Sequence, residues 1–339
     1  MKLEGGVVVL KPSGNRTSRP YLWALSFWLL LLIFNLFFTE NFWAIEVRDG
    51  HLYGSLLDVL RRAAPTVLLS MGMTLVIATG GIDLSVGAVI AIAGSAAALL
   101  ARAHCPLLLV VAAPLALAAV AGLWNGLLVT RLGIQPFVAT LILMVSGRGI
   151  AQLLCGGQIV RFSYPAFEFL SSGFLLGLPF SLYVTALLCI GAGLAARRTA
   201  LGLFVEAIGI NPSASRYAGV NASAVKALVY VLSALCAGVA GLLLTTEIRA
   251  ADANNVGLNL ELDAILATVI GGTPMTGGRF CLLGSIIGAL IIQTLTTTIL
   301  AQGVLRPATL VVKALVVILI SLMQSPAVRA GMARMRAAL

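Results

Sequence analysis

The sequence predicts an all-α polytopic membrane protein of about ten transmembrane helices, and three observations carry that prediction. Of 339 residues, 60% are hydrophobic and only 10% are charged, with a mean hydropathy of +1.05. A soluble domain carries about 25% charged residues, so too few polar groups exist here to cover a water-soluble core. Apolar runs of near-span length recur along the whole chain, and the Lys and Arg residues gather between them and at the ends.

A hydrocarbon core about 30 Å thick needs about 20 helical residues. Residues 1–20 are polar and basic, and read as a cytoplasmic tail rather than a cleaved leader. The apolar run that follows is long for a leader, and no A-x-A site closes it. Ten candidate spans follow, at roughly 21–38, 63–80, 84–101, 107–129, 136–155, 179–196, 224–245, 262–273, 281–302 and 308–324. They form one membrane domain over 21–324, followed by a short tail over 325–339. The eighth run is too short for a simple crossing, which points to a half-helix or broken backbone sheltered by protein. Broken or short helices are therefore expected near 80–87 and 262–280. Residues 39–60 hold Glu40, Glu46, Asp49 and Asp58, and read as an amphipathic helix on the outer surface.

With the N-terminal tail inside, thirteen Lys and Arg residues fall in inner segments and seven in outer ones; Arg148 and Lys313 lie within spans. That bias places both termini in the cytoplasm. It also explains the net charge of +10, which in a soluble protein would suggest nucleic acid. The five cysteines are scattered without a C-x-x-C, and read as small apolar packing residues. His51 and His104 lie in outer loops, so no metal pair is expected. No phosphate-binding G-x-x-x-x-G-K-[ST] and no catalytic motif occurs. No enzyme and no cofactor are expected in this chain.

One internal echo marks the two places where irregular helices are expected. Gly80-Gly81-Ile82-Asp83-Leu84-Ser85-Val86-Gly87 aligns without gaps with Gly271-Gly272-Thr273-Pro274-Met275-Thr276-Gly277-Gly278. Paired glycine interruptions in corresponding halves point to broken helices near a solute path. Both fall on the same side of the membrane, which makes the repeat parallel.

The inner segment 197–223 is the most informative polar stretch. Asn211 before Pro212 suits a helix N-cap with Pro at its first position, and Gly219 would end a short helix over 212–218. Such a helix docks a partner and relays its motion, or else it is an ordinary connection; spacing alone leaves both open.

Several stretches resemble bacterial permeases of the ribose, galactose and xylose ATP-binding cassette importers, and most closely the galactofuranose-type permeases. They are residues 72–87 with their GGIDLSVG, Ile134-Gln135-Pro136-Phe137-Val138-Ala139-Thr140-Leu141, residues 207–219, residues 250–257 with their ADANN, Glu261-Leu262-Asp263-Ala264-Ile265 and Val269-Ile270-Gly271-Gly272. The resemblance covers about residues 40–324. It implies a monosaccharide path in the bacterial inner membrane, formed with a second permease subunit, identical or homologous. A cytoplasmic ATP-binding subunit and a periplasmic sugar-binding protein complete the implied assembly. It also implies that 202–219 contacts the ATPase, with Gly202, Glu206, Gly209, Asn211 and Gly219 as the coupling positions.

Ionisable groups inside spans cost about 2.5–3.5 kcal/mol each at a helix centre and need a reason to be there. Arg148 lines the path, or snorkels, or pairs with Asp83 or Asp263. Asp83 caps the third span or faces the path. Asn125 and Gln135 bond across helices or touch solute, and Asp263 completes the set of path candidates. Asp252, Asn254 and Asn255 form an outer turn below Gly257 or meet the binding protein. The rival reading is an ion-coupled secondary transporter of a small polar solute using Asp83 or Asp263; it lacks a clear buried acid pair. A purely structural scaffold would leave the polar inner segment unexplained.

Overall fold

The structure, a computed structural model, describes residues 20–39, 42–44, 46–48, 50–304, 308–315 and 318. The expected tails lie outside the described residues, as does about half of the last candidate span, 316–317 and 319–324.

In chain order the elements are α1 (Pro20–Phe38), β1 (Glu46–Arg48), β2 (His51–Tyr53), α2 (Ser55–Ala78), α3 (Val86–Arg102), α4 (Leu107–Thr130), α5 (Pro136–Leu154), β3 (Val160–Arg161), α6 (Pro165–Ser172), β4 (Phe174–Leu175), β5 (Leu178–Pro179), α7 (Phe180–Arg198), α8 (Ala200–Ile210), α9 (Pro212–Tyr217), α10 (Ala222–Ile248), β6 (Ala250–Ala251), α11 (Leu260–Ile270) and α12 (Leu282–Ala301). Residues 308–315 are also helical. Among the described residues seven helices are long and apolar enough to cross a membrane: α1, α2, α4, α5, α7, α10 and α12. The all-α membrane class stands; a count of ten is not reached by these helices alone. α3 has 17 residues and α11 only 11, so both are shorter than a full span.

α10 is the axis of the bundle and packs on α2, α3 and α4. Small residues let these backbones approach. A Cβ on Gly72 would meet the Ser233 backbone, one on Gly241 the Ile90 carbonyl, and one on Gly126 the Ala227 backbone. In lipid, where apolar side chains gain nothing by leaving solvent, such close packing and interhelical hydrogen bonds are what hold helices together. α1 joins the bundle by a polar seam on α12. Asn35 Nδ2 donates to Thr298 Oγ1 at 2.8 Å, and Trp28 Nε1 donates to Thr294 Oγ1 at 3.1 Å.

α2 starts eight residues before the apolar run that announced it. Its first turns are charged, and Arg61 lies 3.8 Å from Asp58 and 3.7 Å from Glu247 of α10. The expected amphipathic helix over 39–60 does not form as one element among the described residues; only 55–60 are helical, as the start of α2. β1 and β2 instead pair antiparallel, with Val47 opposite Leu52, and are joined to the β4–β5 hairpin by the Leu52 N–H donating to the Gly177 carbonyl at 2.9 Å. His51 stacks on Phe174 at 4.3 Å; Glu46 lies on β1 and Asp58 in the first turn of α2, while Glu40 and Asp49 lie outside the described residues. These hairpins, with α6 and the β3–β6 pair, lie at one end of the bundle. α8 and α9 lie at the other.

Candidate functional site

The segment between α7 and α10 is more ordered than a connecting loop. Thr199 Oγ1 accepts the Leu201 N–H at 3.2 Å and starts α8, an element that the sequence reading missed within its loop. Asn211 Oδ1 accepts the amides of Ser213 and Ala214, each at 3.0 Å, so it caps α9 with Pro212 at the first helical position, as expected. α9 ends at Tyr217, one residue early, and the Gly219 N–H closes back on the Arg216 carbonyl at 3.0 Å. Gly202 packs on the Ala196 carbonyl and sets the corner between α7 and α8. Glu206 is half-buried on α8.

This elbow docks where the two echoing glycine stretches meet. The Gly278 N–H donates to the Ala78 carbonyl, the last residue of α2, at 2.9 Å. A Cβ on Gly277 would stand 3.0 Å from the Gly80 amide nitrogen. A Cβ on Gly209 of α8 would overlap both the Ala78 carbonyl and the Gly278 amide. Val205 of α8 is buried with Leu75, Val76, Val229 and Tyr230, which binds the elbow to α2 and α10.

The gap-free alignment of the two stretches is one residue out of structural register. α2 ends with Thr79 and then Gly80 at φ +78, whereas α11 ends with Gly271 and then Gly272 at φ +91. In both, the amide after the left-handed glycine reaches back five residues: Gly81 to Val76 at 3.1 Å, and Thr273 to Thr268 at 3.2 Å. The equivalent residues are therefore Gly80 and Gly272, each closing a helix in the conformation glycine adopts without strain.

Asp83 follows the first of these closures and is buried in a polar knot. Its Oδ1 accepts the Ser85 amide at 3.0 Å and the Ser85 hydroxyl at 2.6 Å, and its Oδ2 accepts the Ser233 hydroxyl at 3.0 Å. Asn125 Nδ2 donates to Ser85 Oγ at 2.8 Å, and Thr140 Oγ1 donates to the Ile82 carbonyl at 3.2 Å. The GGIDLSVG segment is thus tied to α4, α5 and α10. Asp83 acts just ahead of α3, on the Ser85 amide, rather than on amides inside the helix. Ser233 lies eleven residues into α10, so α3 begins about 16 Å along that helix. Ser233 was not singled out in the sequence, and Ser85 only as the echo of Thr276; a buried Asp in an apolar region implies donors, but does not say which.

α11 begins against the start of α3. A Cβ on Gly87 would meet Glu261 Oε2 and the Gly257 carbonyl, so Glu261 in the first turn of α11 lies against bare backbone in the first turn of α3. Glu261 is 5% exposed, and its Oε2 has no hydrogen-bond partner among the described residues. Arg148 pairs with neither Asp83 nor Asp263. Its Nη1 donates to the carbonyls of Val256 at 2.6 Å and Ala253 at 3.2 Å, and so clamps the segment leading into α11. Gln152 Nε2 adds a bond to Asn254 Oδ1 at 2.8 Å. Asp252 accepts from the Asn254 amide at 3.1 Å and from Asn255 Nδ2 at 2.7 Å, which makes the expected turn. Asp263 takes Lys313 Nζ at 3.1 and 3.0 Å, an ion pair between α11 and the 308–315 helix. Gln135 is exposed at the N-cap of α5. The structure thus joins Asp83 with Asn125, and separates Arg148, Gln135 and Asp263.

A bundle of long apolar helices with two shorter ones, α3 and α11, and an ordered elbow docked on the end of α2 and the 277–278 turn fits a membrane permease. Residues 55–321 match the family described as branched-chain amino acid transport system / permease component. The chain belongs to that family, whose members are transport components. It is 53% identical to the galactofuranose transporter permease protein of Escherichia coli K12 over 309 residues, 91% of this chain and 90% of that one. It is 40% identical to a fructose import permease protein of Bifidobacterium longum NCC 2705, over 99% and 96% of the two chains. It is 35% identical to the ribose import permease protein of Escherichia coli K12, over 78% and 84%. No solved structure matches.

Proposed function

We propose that this chain forms the membrane path of an ATP-driven importer for a monosaccharide, with galactofuranose or galactose the first substrates to test and ribose or another pentose next. The observation that carries the reading is the docking of α8. Its Gly209 lies against the end of α2 and the 277–278 turn, while Ile210 (74% exposed) and Tyr217 (93% exposed) project outward on the same elbow. Exposed apolar side chains beside a tightly packed glycine suit a lever: one side grips a soluble ATP-binding subunit, and the other pushes on two helix ends. The names of the relatives support sugar import. They lend nothing to the ion-coupled alternative, and both acids that reading needs are already engaged.

In this reading the elbow and both termini face the cytoplasm of a bacterium, in its inner membrane, and the hairpins and the Asp252 turn face a sugar-binding protein outside. The crossings are completed to about ten by α3, by α11 with the turn after it, and by the helix at 308–315. A second permease, identical or homologous, pairs with this one. Gly202, Glu206, Gly209, Asn211 and Gly219 are the coupling positions. Arg148 and Gln135 stand on the α5 wall of the path, while Asp83, Asn125 and Asp263 hold the half-helices that border it.

The test is reconstitution with a candidate ATP-binding subunit and a candidate sugar-binding protein. Uptake of labelled sugar that requires ATP and survives proton and sodium ionophores supports the reading. Uptake abolished by ionophores and indifferent to ATP overturns it.

A further inference from the structure

α7 is the least buried of the seven long spans. Between its last two turns, the start of α1 and the start of α12 lies an open crevice of about 380 Å³. Tyr21, Gly193, Leu194, Arg197, Leu282 and Ile286 are among its walls. Its inner part is apolar, and the wall residues Ile190 and Leu194 are 60% and 52% exposed toward the surrounding bilayer. Arg197 stands at the mouth, in the last turn of α7, with no carboxylate in salt-bridge range among the described residues. The first turn of α12 opens on the same space, and its N-cap, Cys281, makes no side-chain cap bond.

We propose that this crevice is a specific site for an anionic phospholipid, with one acyl chain along Gly193 and Ile286 and the phosphate on Arg197. An apolar opening on the lipid-facing side of a bundle is filled by acyl chains, because water there would leave hydrogen bonds unmade. A guanidinium at the end of a span lies at headgroup depth, and its planar fork matches a phosphate bidentately. The amides of the α12 first turn add partial positive charge at the same mouth. The lipid would brace α7 against α12, immediately before the corner into α8. The inference requires only that the bundle sits in a membrane.

Gly193 makes the test clean. A Cβ there meets nothing within 4 Å, and Gly193 lines the crevice, so Gly193→Leu projects its side chain from an unobstructed Cβ into the space the acyl chain would take. The full chain is solubilised, exposed to equimolar phosphatidylglycerol and phosphatidylcholine, and examined by native mass spectrometry. The wild type is expected to retain phosphatidylglycerol at least tenfold over phosphatidylcholine. Arg197→Gln is expected to erase that preference, and Gly193→Leu to remove the bound lipid while matching the wild-type thermal midpoint in lipid-free detergent. Equal retention by Gly193→Leu, no loss in Arg197→Gln, or displacement by millimolar inorganic phosphate overturns the proposal. Loss of self-association in Gly193→Leu with lipid retention unchanged would mean that another protein chain covers this face, and overturns it equally.

Discussion

Gly209→Ala is the sharpest perturbation of the proposed coupling. The added methyl group falls on the Ala78 carbonyl and the Gly278 amide, two backbone groups already bonded to each other at 2.9 Å. Neither can rotate aside as a flexible side chain would, so α8 must lift away from α2 or the 277–278 turn must open. Overpacking of this kind costs about 1–3 kcal/mol. Replacing glycine inside a helix returns up to about 1 kcal/mol, but it does so in every position of the elbow. The overpacking cost applies only to the docked arrangement, so the elbow equilibrium shifts by about 5- to 150-fold. In proteoliposomes with partner subunits, uptake driven by the sugar-loaded binding protein should fall at least about fivefold, within that range. ATP hydrolysis should continue. Gly191→Ala is the control, because a Cβ there meets nothing within 4 Å, and its uptake should equal wild type. Wild-type coupling in both Gly209→Ala and Gly209→Leu, at equal membrane abundance, would refute the reasoning.

Three other outcomes follow from the same contacts. Lys313→Met leaves Asp263 an uncompensated buried charge, a loss of about 3–5 kcal/mol, and should lower the thermal midpoint clearly. The double variant Asp263→Leu with Lys313→Met should recover most of it, and no recovery would mean the pair is not the cause. Asp83→Ala strands the Ser85 and Ser233 hydroxyls and should destabilise the solubilised protein by about 1–3 kcal/mol, seen as a lowered thermal midpoint. A wild-type midpoint would remove Asp83 from the knot. Arg148→Lys keeps the charge but not the two-carbonyl grip, so proteolysis or hydrogen exchange across 252–259 should rise while α10 stays protected. Unchanged exchange there would show that Arg148 does not hold the segment.

The hairpin at 46–53 and the early start of α2 show how far a linear reading reaches. Hydropathy located the seven long apolar helices because lipid leaves the backbone no choice: a long apolar run must satisfy its own hydrogen bonds, and only a helix does so along one segment. Outside the bilayer that compulsion lapses. Asp58, Arg61 and Arg62 therefore hid the first turns of α2, and the helix expected over 39–60 is instead the strands β1 and β2 followed by the start of α2. Asn211-Pro212 was legible because capping is local, decided by a side chain and amides two and three residues on. α8 was not, because an apolar 11-residue segment reads alike as a buried helix or as part of a loop.

The sequence by itself determined the membrane class, the positions of the seven long apolar helices, the breaks near Gly80 and Gly272, and the cap of α9. Each of these depends on neighbours in the chain. Only the tertiary structure decided that the two breaks touch, that Gly209 seats against both, that Arg148 holds carbonyls rather than acids, and that Asp263 takes Lys313. Helices in lipid are apolar on every side, so periodicity does not reveal which face meets which partner. Those choices rest on bare glycine surfaces and single hydrogen bonds between residues far apart in sequence. They become visible only when the helices are side by side.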